Sequence, residues 1–501
     1  MTTIFDSAAI DWSARLDDLT LDGRLLTRGT RGEAARGETL DLFSPRDGRL
    51  ITRVAACDRM DVDQAARLAR RAFDRGQWSN AQPADRRTTL LRWADFIERD
   101  RENLALLICL ETGKPIRDCL EIDLRSVVKA VRWYAEAIGK HAGAHPDTGP
   151  DSMAIVAREP AGVIGVVTPW NFPLAAIGYE VAPALSLGNS VLVKPSEKAP
   201  LSVLRCCELA LDAGVPGDVL AVLPGLGAVS GTALGQHPDI DIISVTGSPA
   251  TGRAFMRYSA DSNGKRVWPE TGGKSSVIVC PDTADIDQAV RRIVWGAYFN
   301  QGQMCTGAAR LFVHTRIADE FVSCWLRAAE ELSVGDPLSW TTDVGPIISE
   351  PAYESVCQSI SESTAMGGKL AVGGERIEVL RGGYYLSPAL LVNLPPEARL
   401  LNVEVFGPIA AMSTFEEIGD AVTTAARSGF GMAASIWTGS LDTALRSAKR
   451  MKVGTVWING FESDDLSVPS GGVRRSGYGR SKSLAALDKY SDLKTTWVEL
   501  Q

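Results

Sequence analysis

Apolar residues recur along this chain with two periods. Between residues 61 and 139 the spacing is helical, and Leu90, Ala94, Ile97, Leu104 and Ile108 share one helix face. Thr112-Gly113-Lys114-Pro115 interrupts that pattern, and a further amphipathic helix runs to about Ile138. Residues 139–160 change character, with His141, Gly143, Pro146 and Gly149-Pro150, and 153–157 read as a strand. Short apolar runs follow at 163–167, 190–193, 219–223 and 242–245, with helical stretches at 175–184, 202–213 and 229–236 between them. A second series begins near Lys274, with strands at 276–280 and 311–313 and helices at 286–299 and 317–332. Strand alternating with helix predicts a parallel sheet with crossover helices. Residues 1–60 read as an irregular lead-in, in which 40–54 alternate like short strands around the turn Pro45-Arg46-Asp47-Gly48. Residues 493–500 alternate like an edge strand. The pattern predicts an α/β fold of two doubly wound parallel-sheet units plus a small extended β piece.

Composition narrows the function classes. The 501 residues hold 53 Lys plus Arg against 61 Asp plus Glu, a net charge of −8, with 45% hydrophobic and 23% charged residues. This is ordinary globular composition, and the length suits two to four domains at roughly 100–200 residues each. An acidic balance offers no basic stripe for nucleic acid and no attraction to an anionic membrane. Residues 1–16 hold Asp6, Asp11 and Arg15 and no long apolar core, so neither a signal nor an Arg-rich transit peptide is expected. The apolar runs fall far short of the roughly 18 residues that span a bilayer. Nine cysteines without framework spacing read as reduced thiols, and the cytoplasm is the expected location. Four histidines without a tight His/Cys/Asp cluster predict no metal site.

Five segments have chemistry to offer. No G-x-G-x-x-G follows a strand; the nearest run, Gly225 to Gly231, misses the third glycine by one place. Cys305 stands between Gly302 and Gly307, which suggests a break where backbone approaches a ligand, and a thiol there would be a nucleophile. Glu270 follows Trp268-Pro269, straight after a predicted strand, where apolar surroundings would raise its pKa toward that of a general base. Asn171 lies in the stiff stretch Thr168-Pro169-Trp170-Asn171-Phe172-Pro173, an amide aimed into a cleft at strand ends. Gly247-Ser248-Pro249-Ala250-Thr251-Gly252 follows an apolar run and suits a phosphate at a helix N-terminus. Lys194-Pro195-Ser196-Glu197 would meet a nucleotide at the carboxyl end of a parallel strand. Each also has a bland reading: a structural thiol, a turn carboxylate, a turn amide and two polar loops.

Taken in order, these segments resemble the NAD(P)-dependent aldehyde dehydrogenase superfamily from about residue 40 to 499. The motifs are Pro-Trp-Asn-Phe-Pro at 169–173, Lys-Pro-Ser-Glu at 194–197, Gly-Ser-x-x-x-Gly at 247–252, Glu-x-Gly-Gly-Lys at 270–274, Gly-Gln-x-Cys at 302–305 and Glu-x-Phe-Gly-Pro at 404–408. The resemblance implies that Cys305 attacks an aldehyde, that Asn171 and the Cys305 backbone N–H hold the oxyanion, and that Glu270 activates the water that hydrolyses a thioester. It implies an NAD cofactor along Thr168, Pro169 and Trp170. Lys194, Ser196 and Glu197 would lie at the adenosine ribose, Gly247, Ser248 and Gly252 at the pyrophosphate, and Glu404 with Phe406 at the nicotinamide. Glu197 would repel a 2′-phosphate, which favours NAD over NADP. The implied units are an NAD-binding domain (1–138 and 158–271), a catalytic domain (272–483) and an oligomerisation arm (139–157 and 484–501) that makes a homodimer or homotetramer.

Within the superfamily the chain most resembles the ω-aminoaldehyde group, the γ-glutamyl-γ-aminobutyraldehyde dehydrogenases of putrescine breakdown among them. The stretches concerned are Arg132 to Ala137, Asp261-Ser262-Asn263, Lys265 to Trp268 and the tail from Gly479 to Glu499. An acidic loop, Glu462-Ser463-Asp464-Asp465, would attract a substrate amine or guanidinium. The chain departs from the family's usual pattern at three places. Tyr179-Glu180 stand where Trp-Lys is usual, which reverses a charge near the thiol. Ser470 replaces a Phe, and Thr271 replaces a Leu and puts a hydroxyl beside the base. Two other readings remain at this point: a CoA-acylating dehydrogenase, which has no use for Glu270, and a silent scaffold, to which Glu180 lends support.

Overall fold

The computed structural model describes residues 7–462 and 465–500; residues 1–6 of the lead-in, Ser463 and Asp464 of the acidic loop, and Gln501 lie outside them. The first apolar series forms one seven-stranded sheet. Its order is Arg266–Thr271, Ile242–Gly247, Val163–Val167, Ser190–Lys194, Leu220–Val222, Leu25–Thr27, Thr30–Gly32. The first five strands are parallel, and the last two join antiparallel. Val163–Val167 and Ser190–Lys194 are buried throughout, as continuous apolar runs covered on both faces must be. Register aligns their ends: Val167 lies opposite Lys194 and Val245, and Thr271 opposite Gly247. The segments 168–173, 194–197 and 248–252 therefore all leave the same carboxyl edge, where open α/β sheets bind ligands.

The second series forms another seven-stranded sheet. Its order is Lys369–Val372, Ala389–Val392, Ile409–Phe415, Arg310–His314, Ser276–Val279, Ala433–Trp437, Thr455–Ile458. Only the Lys369–Val372 edge is antiparallel. Helices Ile286–Tyr298 and Ala318–Glu330 pack on one face, and Ile418–Ala426 and Leu441–Arg450 pack around Ile278, Phe312 and Ile436 on the other. Two parallel-sheet units are thus present as the pattern predicts.

Four local expectations change. The lead-in is not irregular, because Leu25–Thr27 extends the first sheet through Leu26 opposite Val222. The helical face from Leu90 to Ile108 belongs to two helices, Pro83–Arg99 and Arg101–Thr112, which meet at Asp100. The Asp100 carboxylate accepts from Asn103 Nδ2 at 2.9 Å and Arg205 Nε at 2.7 Å, side-chain bonding that competes with a continuous helix. Glu270 lies inside a strand, paired with Thr246, and not after one. Residues 484–490, grouped by the sequence with the arm, form a 3₁₀ turn whose Ala486, Leu487 and Tyr490 join the first core.

The extended piece is a separate two-stranded ladder, Ser152–Pro160 antiparallel to Ser491–Glu499. It leaves Leu493 and Trp497 exposed. Among the described residues no helix is long and apolar enough to cross a membrane.

Candidate active site

A single cavity of about 1450 Å³ runs between the carboxyl edge of the first sheet and the loops of the second. Of the residues singled out in the sequence, Thr168, Pro169, Trp170, Asn171, Lys194, Ser196, Glu197, Gly247, Ser248, Glu270, Cys305, Glu404 and Phe406 line it. Gly252 does not. It is buried against strand Arg266–Thr271, where a β-carbon would lie 2.9 Å from Thr271 Cγ2, so its role is helix-to-strand packing.

The loop before Cys305 is wound tightly. Helix Ile286–Tyr298 ends, and Asn300, Gln301 and Gly302 take left-handed φ values of 52°, 57° and 67°. Gly302 is required there, since a β-carbon would lie 2.0 Å from the Gly407 carbonyl oxygen. Gln303 is fully buried; its Oε1 accepts from Ile348 N–H at 3.0 Å. Asn171 Nδ2 donates to the Gln303 carbonyl at 2.9 Å, and Asn300 Nδ2 donates to the Asn171 carbonyl at 3.1 Å. An amide nitrogen has two N–H groups, so one remains for the cavity. Burial, with Glu404, Glu462 and Glu270 nearby, pushes the Cys305 thiol up to about 12.

Behind Asn171 lies a residue that the sequence marks only as part of a helix break. Lys114 Nζ is fully buried, 2.7 Å from Asp123 Oδ2, and donates to the Asn171 carbonyl at 3.0 Å. It also sits 3.9 Å from the centre of the Phe172 ring. A lysine between Gly and Pro, nine residues before an aspartate in apolar surroundings, was the available signal.

Glu270 is buried. Its Oε2 accepts weakly from Gly472 N–H at 3.4 Å, and its Oε1 has no partner among the described residues. Burial pushes its carboxyl up to about 8; Glu180 adds to the rise, while Lys489 and Arg480 oppose it. The Glu180 exchange is not an unbalanced charge. Glu180 is buried and accepts from Lys489 Nζ at 2.6 Å, Ser481 Oγ at 2.6 Å, Ser244 Oγ at 2.7 Å and Tyr490 OH. Burial alone would raise its pKa, but Lys489 and these bonds outweigh it and hold it low. The Thr271 hydroxyl is likewise turned from the base and donates to the Arg475 carbonyl at 2.6 Å. Tyr179 hydrogen-bonds to Ser126 at 2.5 Å, and Ser470 lines the cavity beside Gly471.

At the other end the residues fit a dinucleotide. Ser248 caps helix Pro249–Ala260, its Oγ accepting from Thr251 N–H at 3.1 Å, so the helix N-terminus faces the cavity. Lys194 ends its strand with Nζ 3.6 Å from Glu197 Oε2. Thr168 Oγ1 is buried with no hydrogen-bond partner among the described residues. Glu404 accepts from Gly273 N–H at 2.7 Å, burial pushes its carboxyl up to about 7, and Trp170 meets Phe406 edge-on at 5.6 Å. Among the described residues no group of His, Cys, Asp and Glu is placed to hold a metal.

The substrate end carries both signs. Glu121, Glu462 and Asp465 line it together with Arg125, Lys129 and Lys482. Glu462 accepts from Thr306 Oγ1 at 2.6 Å, one residue after the thiol. Phe172, Trp295, Phe299 and Trp457 supply its apolar wall.

Residues 33–496 match the aldehyde dehydrogenase family. The chain is 40% identical over 490 residues to the NADP/NAD-dependent aldehyde dehydrogenase PuuC of Escherichia coli, covering 98% of each. It is similar in structure to the γ-glutamyl-γ-aminobutyraldehyde dehydrogenase of Burkholderia cenocepacia, with a TM-score of 0.96 and 40% identity over 98% of this chain and 99% of that one. The indole-3-acetaldehyde dehydrogenase AldA of Pseudomonas syringae, solved in complex with NAD⁺, gives the same TM-score of 0.96, identity of 40% and coverage of 98% and 99%.

The Lys114–Asp123 pair yields a direct test. Lys114→Met leaves Asp123 buried and unpaired and is expected to lower stability by about 3–5 kcal/mol. Adding Asp123→Leu should restore most of the melting temperature but not the turnover, because the Asn171 carbonyl still lacks its ammonium. Full activity in the double variant would show that Lys114 has no part in seating Asn171.

Proposed function

We propose that this chain, which belongs to the aldehyde dehydrogenase family, oxidises an ω-aminoaldehyde with a charged far end to the carboxylate, through a thioester on Cys305. The substrate we favour is γ-glutamyl-γ-aminobutyraldehyde. The family's reaction is NAD-dependent oxidation of an aldehyde. The observation that supports the substrate is the cavity itself: Cys305, Glu270 and Asn171 line it, and so do carboxylates and cations that we place at its mouth. A γ-glutamyl end presents an ammonium and a carboxylate together, which such a mouth complements.

In this reading the Cys305 thiolate adds to the aldehyde carbon. The free Asn171 N–H and the Cys305 backbone N–H meet the oxyanion, and losing one such donor costs about 10²–10³ in kcat. NAD, when bound, supplies the acceptor for the hydride that leaves the tetrahedral carbon. Water then adds to the thioester carbonyl, Glu270 takes its proton, and the carbon–sulfur bond breaks to free Cys305. Lys194 and Glu197 meet the adenosine ribose, where the Glu197 carboxylate disfavours a 2′-phosphate. Ser248 and the helix it caps face the pyrophosphate, Thr168 offers its hydroxyl, and Glu404 with Phe406 borders the nicotinamide.

The division into an NAD-binding unit (1–138 and 158–271), a catalytic unit (272–483) and an arm (139–157 and 484–501, of which 484–490 pack on the first core and 491–499 form the ladder) belongs to the same proposal. The ladder with its exposed Leu493 and Trp497 suits pairing between subunits of a homodimer or homotetramer. A cytoplasmic place in polyamine breakdown goes with the substrate.

Two measurements test the reading. NADH formation should favour γ-glutamyl-γ-aminobutyraldehyde over 4-aminobutyraldehyde, and both over benzaldehyde and indole-3-acetaldehyde, by at least about tenfold in kcat/KM, and Cys305→Ala should abolish it. Preference for the aromatic aldehydes would instead make the Phe172, Trp295 and Trp457 wall the determinant. Glu270 must be ionised to act as a base, and its pKa is raised to about 8, so thioester hydrolysis should rise with pH through about 8 and fall away below it. Glu270→Gln should remove that limb. A limb unchanged in Glu270→Gln would take the base role away from this residue.

A further inference from the structure

A buried ion pair stands behind the base, and nothing in the reaction as described uses it. Glu180 and Lys489 are both almost wholly buried, with Nζ 2.6 Å from Oε2. Lys489 Nζ also donates to Ser481 Oγ at 3.2 Å, and Ser481 Oγ donates to the other Glu180 oxygen at 2.6 Å. Ser481 is in turn tied to the chain that touches the base. Ser481 N–H donates to the Ser470 carbonyl at 2.7 Å and Ser470 N–H to the Ser481 carbonyl at 2.8 Å. The next residue, Gly471, runs so close to Glu270 that a β-carbon would lie 2.8 Å from Oε1, and Gly472 N–H donates to Oε2. On the other side Gly479 packs between Trp268 Cε3, at 3.0 Å from its β-carbon position, and Lys489 Cδ at 3.5 Å. Glu180, Ser481, Ser470, Gly471 and Glu270 all border the one cavity.

We infer that Glu180 and Lys489 are positioning residues for Glu270, a buried pair of opposite charges whose two ends act on the base in opposite senses and whose Ser481 bridge holds the 470–472 strap against it. This rests on the reading of Glu270 as the base. The pair lies close enough to matter electrostatically: after burial itself, Lys489 is the strongest influence on the Glu270 carboxyl, downward, and Glu180 the next, upward. The other groups that face Glu270 are the Gly472 N–H and Arg480, both of which favour its ionised form, and the Cys305 thiol. Tyr490 and Tyr134 border Glu180 from behind, and burial pushes both phenols up. They stay neutral through the working range, which leaves the ion pair as the charge that can be changed.

The test uses 4-nitrophenyl acetate without NAD, which acetylates a reactive thiol and leaves the hydrolysis step to be followed alone. The pH profile of that step is measured for the wild type, Lys489→Met, Lys489→Arg, Glu180→Gln and Glu270→Gln. Removing the ammonium should move the limb to higher pH, and removing the carboxylate should move it to lower pH, each by about half a unit or more. Lys489→Arg should return most of the shift. If Lys489→Met does not fold, the double variant Lys489→Met with Glu180→Gln, which leaves no buried charge unpaired, is compared with Glu180→Gln alone. The limb must then move back toward higher pH. Shifts in one common direction, or loss of amplitude with an unmoved midpoint, would reduce the pair to a structural role and overturn the inference. A limb that survives in Glu270→Gln would instead overturn the reading of the base.

Discussion

Three stretches of backbone meet around the nucleophile with no room for a side chain between them. A β-carbon at Gly273 would lie 2.1 Å from the Cys305 carbonyl oxygen, one at Gly272 1.8 Å from Glu404 Oε2, and one at Gly302 2.0 Å from the Gly407 carbonyl. Gly272 and Gly273 also connect the two sheets, since strand Arg266–Thr271 ends just before them and Ser276–Val279 begins just after. The link that joins the units is therefore the same piece of chain that sets the base, the thiol and Glu404 around one cavity. Rigid strands on both sides fix the spacing, and glycine is the residue that permits the contact.

The charges behind these groups are buried, so the fold must keep them in a poor solvent. It does so by pairing them. Lys114 with Asp123 stands behind Asn171, and Lys489 with Glu180 stands behind Glu270. Each pair is neutral as a whole, which limits the cost of burial, yet each presents one charged end to a group that reacts. Lys274 is the contrasting case: buried with Arg310 nearby and only Glu404 to help it, its ammonium is pushed down to about 7.

The fold was largely readable because central parallel strands such as Val163–Val167 are apolar on both faces and announce themselves. The strand before Glu270 was read, but not its continuation through Glu270, because Arg266-Val267-Trp268-Pro269-Glu270-Thr271 mixes charge, proline and apolar residues. The structure shows why that is tolerated: the strand is the edge of its sheet, and an edge accepts a proline. The site was legible through the order of its motifs, of which 168–173, 194–197 and 248–252 leave strand ends. Its supporting charges were not. Lys489 lies 309 residues from Glu180 along the chain, and no local pattern couples two such positions. Gly252 shows the opposite error, a glycine in a phosphate-like loop that serves packing.

The mouth of the cavity shows how far a charge count along the sequence can mislead. Glu462 and Asp465 read as an acidic loop, but Arg125, Lys129 and Lys482 from other elements line the same cavity. Selection there depends on complementing both signs at once, a stricter demand than attracting a cation. Glu462 also reaches inward, since its carboxylate holds Thr306 and adds to the charge that opposes ionisation of Cys305. One carboxylate thus ties the charged lining of the cavity to the residue beside the thiol.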